Sequence, residues 1–322
     1  MPLTLELRDS TTGSSARIAP QLGFNCFEFV ARVRDWTVKV LDADPAFPTG
    51  TLRPSGHGIP ILFPFPNRIR DSRFTWAGRE YVIPVDVGLH DKNGHAIHGF
   101  CIDRPWRVIA GGDRFAVGQF QLSVDAPDRR SLWPADFVIE VRYELRGSAL
   151  RADIRIENPD RVSLPWGLGT HPYFRVPLDE GSQPAHCLIQ VPAGSEWVLK
   201  DCLPTGDRRH VSPDKDLREG EYFDVLKLDD VLTDLQPEQG IIDSAIIDEA
   251  AGLQVLQRCD PIFREMVVFT PPNRACVCIE PYTCMTDAIN LQARGVEAGL
   301  RELAPGEHVR LWFELSAGTL LC

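Results

Sequence analysis

Alternation between apolar and charged positions is the strongest pattern in this 322-residue chain. From Phe137 to Arg146 every odd position is apolar or aromatic, and every even position after Val138 is charged. Gly147-Ser148 interrupts, and then Leu150, Ala152, Ile154 and Ile156 alternate with Arg151, Asp153, Arg155 and Glu157. A period of two sends successive side chains to opposite faces, so this stretch predicts a β-hairpin with one wet face. Val309, Leu311, Phe313 and Leu315 repeat the pattern near the C-terminal end, and shorter runs occupy 36–41, 115–124, 186–191, 253–257 and 266–270. Helical spacing is scarce, and 212–227 is the stretch that could hold one short helix. The 25 Gly and 26 Pro are spread evenly, punctuation suited to many short elements. The pattern predicts an all-β sandwich or barrel with few short helices. No segment shifts composition enough to mark a linker, so a single domain over 1–322 is expected.

Composition narrows the class. Apolar residues make up 43% and charged residues 25%, which excludes a disordered chain, a collagen and a coiled coil. The net charge is −11, so the counterion release that drives nucleic-acid binding is not on offer, and no anionic membrane partner is expected. The first residues lack a basic stretch followed by an apolar one, and no apolar run approaches the roughly 18 residues of a membrane helix. A cytoplasmic location is expected. The nine Cys form no CxxC pair. Cys276 and Cys278 fall on one strand face without a matching His or Cys pair to complete a zinc site. Reduced structural thiols and no metal are the expectation.

Four segments break the alternation and cluster functional side chains. Pro60 to Arg70 carries three stiffening prolines at 60, 64 and 66, ahead of Asn67 and Arg68. His95-Ala96-Ile97-His98-Gly99-Phe100 sets His98 beside a glycine. Trp166 to Phe174 holds His171 on an extended backbone before Pro172, among aromatic residues that suit the C–H faces of a sugar. Ala275 to Thr283 alternates so that Glu280 falls opposite Val277 and Ile279, at the last residue before Pro281, where partial desolvation makes a carboxylate a better base. Each also has a plain structural reading: a surface Arg, a core His, a strand-end Glu. One His and one Glu on stiff backbones make a minimal acid–base pair. A GxSxG elbow, a P-loop, a GxGxxG and an HExxH are all absent.

Together, PFPNRI, HAIHGF, GLGTHPYF and IEPYTCMTDAIN, in this order, resemble the aldose 1-epimerase (mutarotase) family from about Leu22 to about Leu315. The resemblance implies a large antiparallel β-supersandwich and interconversion of the α and β anomers of a hexose, with no cofactor. It implies His171 as the acid that protonates the ring oxygen and Glu280 as the base at the anomeric hydroxyl. His98, Arg68 and Asn67 would hold the sugar. Asp229 matches the family's hydroxyl-binding Asp, with Asp230 adjacent and Leu232 where an aromatic is usual. Pro172 and the Tyr282-Thr283-Cys284-Met285 run differ from the galactose-specific type, which leaves the natural sugar open. Ordinary pKa values of about 4.3 and 6.5 make Glu280 a carboxylate at pH 7 and His171 partly charged, so a bell-shaped pH–rate profile is expected. Two other readings remain: a hexose-6-phosphate 1-epimerase using Arg70 and Arg73, and a carbohydrate-binding module without catalysis. The expected partner is a small-molecule sugar, bound by a monomer or a homodimer.

Overall fold

The computed structural model describes residues 4–272 and 274–320. The hairpin forms as Val138–Arg146 and Ala149–Glu157, joined by a two-residue turn. Gly147 opens that turn at φ +61°, the left-handed region that a tight hairpin needs at its first position. On the wet face Glu140 stands opposite Arg155, Arg142 opposite Asp153 and Glu144 opposite Arg151, so charges alternate in sign across the pair. The other face, with Ile139, Val141, Tyr143 and Ile154, is buried.

Among the described residues, the hairpin sits within a nine-stranded antiparallel sheet that also takes in Phe115–Gln121, His308–Thr319, Leu253–Cys259, Ile242–Asp248 and Cys187–Gln190. An eight-stranded sheet runs Leu203–His210, Ala193–Lys200, Asp229–Leu235, Glu265–Phe269, Cys276–Tyr282, Gly169–Thr170 and Ile61–Leu62, with Tyr173–Arg175 also paired to Cys276–Tyr282. A four-stranded sheet from Leu5–Arg8 to Trp36–Lys39 adds to the wall. One apolar cluster joins inward residues of all three, including Phe313, Val255, Ile279, Val268 and Phe29. Burial of this size is the main stabilising term, at about 25 cal/mol per Å² of apolar surface removed from water. The architecture is the antiparallel sandwich that the alternation predicts.

Two local expectations fail. The stretch 212–227 holds no α-helix; it forms a short strand at Glu221–Tyr222 and a 3₁₀ turn at Phe223–Val225. Pro213 and Gly220 interrupt it, and it has no apolar stripe to bury. Glu280 is not at a strand end either, because Cys276–Tyr282 continues through Pro281 and every residue in it is buried. The strand tolerates proline because the missing N–H points to the side where Thr283 donates to Leu168, at the gap between Gly169–Thr170 and Tyr173–Arg175.

Candidate active site

Strand register positions the pair. Tyr173 stands opposite Cys278 and Gly169 opposite Tyr282, so the same count sets His171 opposite Glu280. The His171 N–H donates to the Pro60 carbonyl at 3.0 Å, and Pro172 keeps the next step extended. On the far side of Glu280 lies Val267, with Phe269 and then Asp229 one row up. Period two therefore collects these side chains on the one face of the sheet that turns away from the main core.

Loops close the cleft over that face. Arg68 pairs with Ile97, and the His98 N–H donates to the Asn67 carbonyl at 2.8 Å. Asn67 and His98 both take a left-handed φ, +53° and +67°. Gly99 follows at +75°, and a Cβ there would sit 2.1 Å from the Phe63 carbonyl oxygen. The glycine is thus needed for backbone packing rather than for access to a ligand.

The resulting cleft encloses about 200 Å³ and is lined by His171, Glu280, His98, Asn67, Arg68 and Asp229, all six of the residues singled out from sequence. That is below the roughly 300–1,000 Å³ of a pocket for a drug-sized ligand, and it suits a single small ring. His95 is excluded: its Nδ1 accepts from the Asp71 N–H at 2.9 Å. Asp230 is excluded too, because it binds Lys215 at 2.7 Å while Asp229 faces the cleft. Arg70 contacts Asp287 and the Pro204 carbonyl, Arg73 contacts Glu80, and neither lines the cleft.

His171 Nδ1 lies 3.4 Å from Glu280 Oε1, with the two side chains 9% and 2% exposed. The His171 ring stacks on Tyr173 at 4.7 Å between centroids and 5° between planes. The Tyr173 hydroxyl gives its proton to the Ser55 carbonyl at 2.9 Å, so it turns a lone pair towards His171 Nε2, 3.5 Å away. We assign the Nε2–H tautomer on that ground, which aims the Nδ1 lone pair at Glu280. Burial drives the His171 imidazole down to about 3, with Arg53 and Arg274 adding to the effect. Burial pushes the Glu280 carboxyl well above its usual range, Asp229 adds to this, and the Tyr282 hydroxyl opposes it by donating to Oε2 at 2.6 Å. Both shifts favour the uncharged forms, a neutral imidazole and a neutral carboxyl, when no ligand is present. His98 stands edge-on to His171 at 5.7 Å, and burial pushes it well below its ordinary value.

Arg68 donates through Nε to Asp91 at 2.7 Å and through a terminal nitrogen to Asn67 at 2.9 Å, which holds its fork in the cleft. Asp229 is open to the cleft yet flanked by enough protein that burial raises its carboxyl.

Sequence reasoning passed over Tyr282, Tyr173, Phe269, Ser55 and Arg53, which also line the cleft. Tyr282 was findable, since it lies two residues from Glu280 on one strand face. Arg53 and Ser55 sit in an unremarkable loop that only the tertiary fold brings to Tyr173.

Residues 38–316 match the sequence profile of the family described as aldose 1-epimerase. The Escherichia coli uncharacterized protein YihR is 24% identical over 264 residues, covering 81% of this chain and 80% of its own length. A galactose mutarotase-like protein from Clostridium acetobutylicum superposes with a TM-score of 0.84 at 23% identity, covering 96% of this chain and 94% of that one. A GalM/aldose epimerase homologue from C. elegans superposes with a TM-score of 0.80 at 17% identity, covering 99% of each chain. At these identities the structural likenesses establish the fold.

Proposed function

The chain belongs to the aldose 1-epimerase family, and from that membership we propose that it interconverts the α and β anomers of a hexose. The observation that carries the proposal is the 3.4 Å approach of His171 to Glu280 in a cleft sized for one sugar ring. A bound hydroxyl hydrogen-bonds Glu280 and favours its carboxylate, so the carboxyl proton passes to His171 Nδ1. Glu280 then takes the proton from the C1 hydroxyl, the C1–ring oxygen bond breaks, and His171 protonates the ring oxygen. The aldehyde turns about C1–C2. Closure with the transfers reversed gives the other anomer and returns both residues to their starting state. Arg68, Asn67, His98 and Asp229 supply donors and acceptors for the hydroxyls, and Phe269 supplies an aromatic face.

A second reading, a hexose carrying an anionic group such as a phosphate, is favoured by Arg53. This cation lines the cleft beside His171 and His98. Arg70 and Arg73 do not serve that reading.

The test is the rate at which fresh α-D-glucose, α-D-galactose and their 6-phosphates relax to anomeric equilibrium. Acceleration by the wild type should fall by roughly 10²–10⁴ in Glu280→Gln, the usual contribution of a positioned proton-transfer group. A preference for the phosphates that is lost in Arg53→Gln would select the second reading. Sugar binding without acceleration would replace both by a non-catalytic carbohydrate-binding role.

A further inference from the structure

We propose that His171, Cys278 and Glu280 form a binding site for one thiophilic divalent metal ion, of which Zn²⁺ is the type, and that the ion blocks proton transfer when it is bound. The binding claim stands by itself; the inhibition rests on the function proposed above.

One donor atom from each of the three side chains lies within 4.8 Å of the other two. Bonds of about 2.0–2.3 Å in a tetrahedral zinc site place donor atoms roughly 3.3–3.6 Å apart. The His171 and Glu280 atoms already meet that spacing at 3.4 Å. A nitrogen, a sulfur and a carboxylate oxygen are the ordinary zinc donor set, and soft sulfur selects against magnesium and calcium.

The backbone presets the arrangement. Cys278 and Glu280 are two apart on one central strand and so share a face, while His171 is held across from Glu280 by the register. His171 Nδ1 is buried and without a hydrogen-bond partner, and the tautomer assigned above keeps its lone pair free. Which nitrogen binds a metal is set by what the other one contacts, here Tyr173.

Charge favours occupancy as well. A thiolate and a carboxylate cancel a doubly charged ion, so the loaded site is neutral in a place where burial penalises every single charge. His171 and Glu280 line the cleft, and with the ion bound their lone pairs needed for proton transfer are occupied. The plain strand pattern showed Cys278 only beside Cys276; the missing partners come from the step between Gly169–Thr170 and Tyr173–Arg175 and from two residues further along the same strand.

The experiment uses the full chain stripped with chelator, with Co²⁺ as optical probe and Zn²⁺ for calorimetry. The expected result is one Zn²⁺ per chain and a near-ultraviolet thiolate-to-cobalt band. The band should vanish in Cys278→Ser and Cys278→Ala but persist in Cys202→Ser, which removes the thiol beside Asp229. Zn²⁺ affinity should fall at least about tenfold in the Cys278 variants, a loss that even indirect partners of a metal produce. Anomer exchange should be inhibited by Zn²⁺ and restored by chelator, while the Cys278 variants stay active and need at least about tenfold more Zn²⁺. Circular dichroism establishes that both Cys278 variants are folded. No thiolate band, a band that survives loss of Cys278, or unchanged Zn²⁺ affinity overturns the site. Metal binding without anomerase activity would instead overturn the proposed function and leave the site standing.

Discussion

The two carboxylate oxygens of Glu280 meet different partners: Oε1 faces His171 Nδ1 at 3.4 Å and Oε2 accepts from the Tyr282 hydroxyl at 2.6 Å. Burial raises Glu280 and lowers His171 to about 3, so both are held towards their uncharged forms. A second proton is added only as pH falls towards His171's lowered value, and the first is lost only above Glu280's raised one. The rate of anomer exchange should therefore lack the inflection near 6.5 of an ordinary imidazole. An inflection there would show that His171 titrates as a solvated residue. Tyr282→Phe removes a donor that favours the carboxylate, so Glu280 should rise further and the alkaline limb move up. A hydrogen bond to a charged group is worth about 1.5–3 kcal/mol, which is roughly one to two pH units. A limb that stays put or moves down would remove Tyr282 from this role. His171, Glu280, His98, Asn67 and Arg68 were legible because local Gly and Pro break the alternation around them. Arg53 and Ser55 were not, since nothing in a loop's own residues says which distant strand it will cover.

At the scale of elements, strands were legible wherever one face is wet, because only then does alternation show. Cys276–Tyr282 is covered on both faces, its pattern is nearly all apolar, and Glu280 was misplaced at its end for that reason. The short pieces Gly169–Thr170 and Tyr173–Arg175 are below the length at which a period can be seen. Their packing is nevertheless tight. A Cβ at Gly169 would lie 2.5 Å from the Tyr282 ring and 2.7 Å from Pro66. Gly169→Ala should cost about 1–3 kcal/mol of stability by overpacking, read from the urea midpoint. It should also slow anomer exchange, because the ring that must move belongs to the residue hydrogen-bonded to Glu280. Unchanged stability would mean that the ring yields without resistance.

At the scale of the whole molecule, Glu265 and His171 link protons to stability in opposite directions. Glu265 is fully buried, and burial lifts its carboxyl to about 7 against donors on Thr233, Arg264 and Trp197. Its folded form binds the proton more tightly than the unfolded chain, so its contribution to stability falls as pH rises from about 4.5 to 7. His171 acts in the other direction: its folded pKa is lowered, so its contribution is lost as pH falls from about 6.5 to 3. Glu265→Gln removes the first linkage alone. Relative to wild type, the variant should gain roughly 2.5 kcal/mol in unfolding free energy between pH 5 and 8, less whatever Arg264 compensates. A difference that does not change with pH would show that Glu265 is ionised throughout. The register that sets His171 opposite Glu280 has a consequence for how such chains can diverge. Between Gly169 and Tyr173, and between Cys278 and Tyr282, the spacing is counted out by the sheet. One residue gained or lost in either stretch would turn every later side chain to the wrong face. These two segments are therefore locked in length even where their composition can drift, and lineages of this fold should lengthen and shorten everywhere else first.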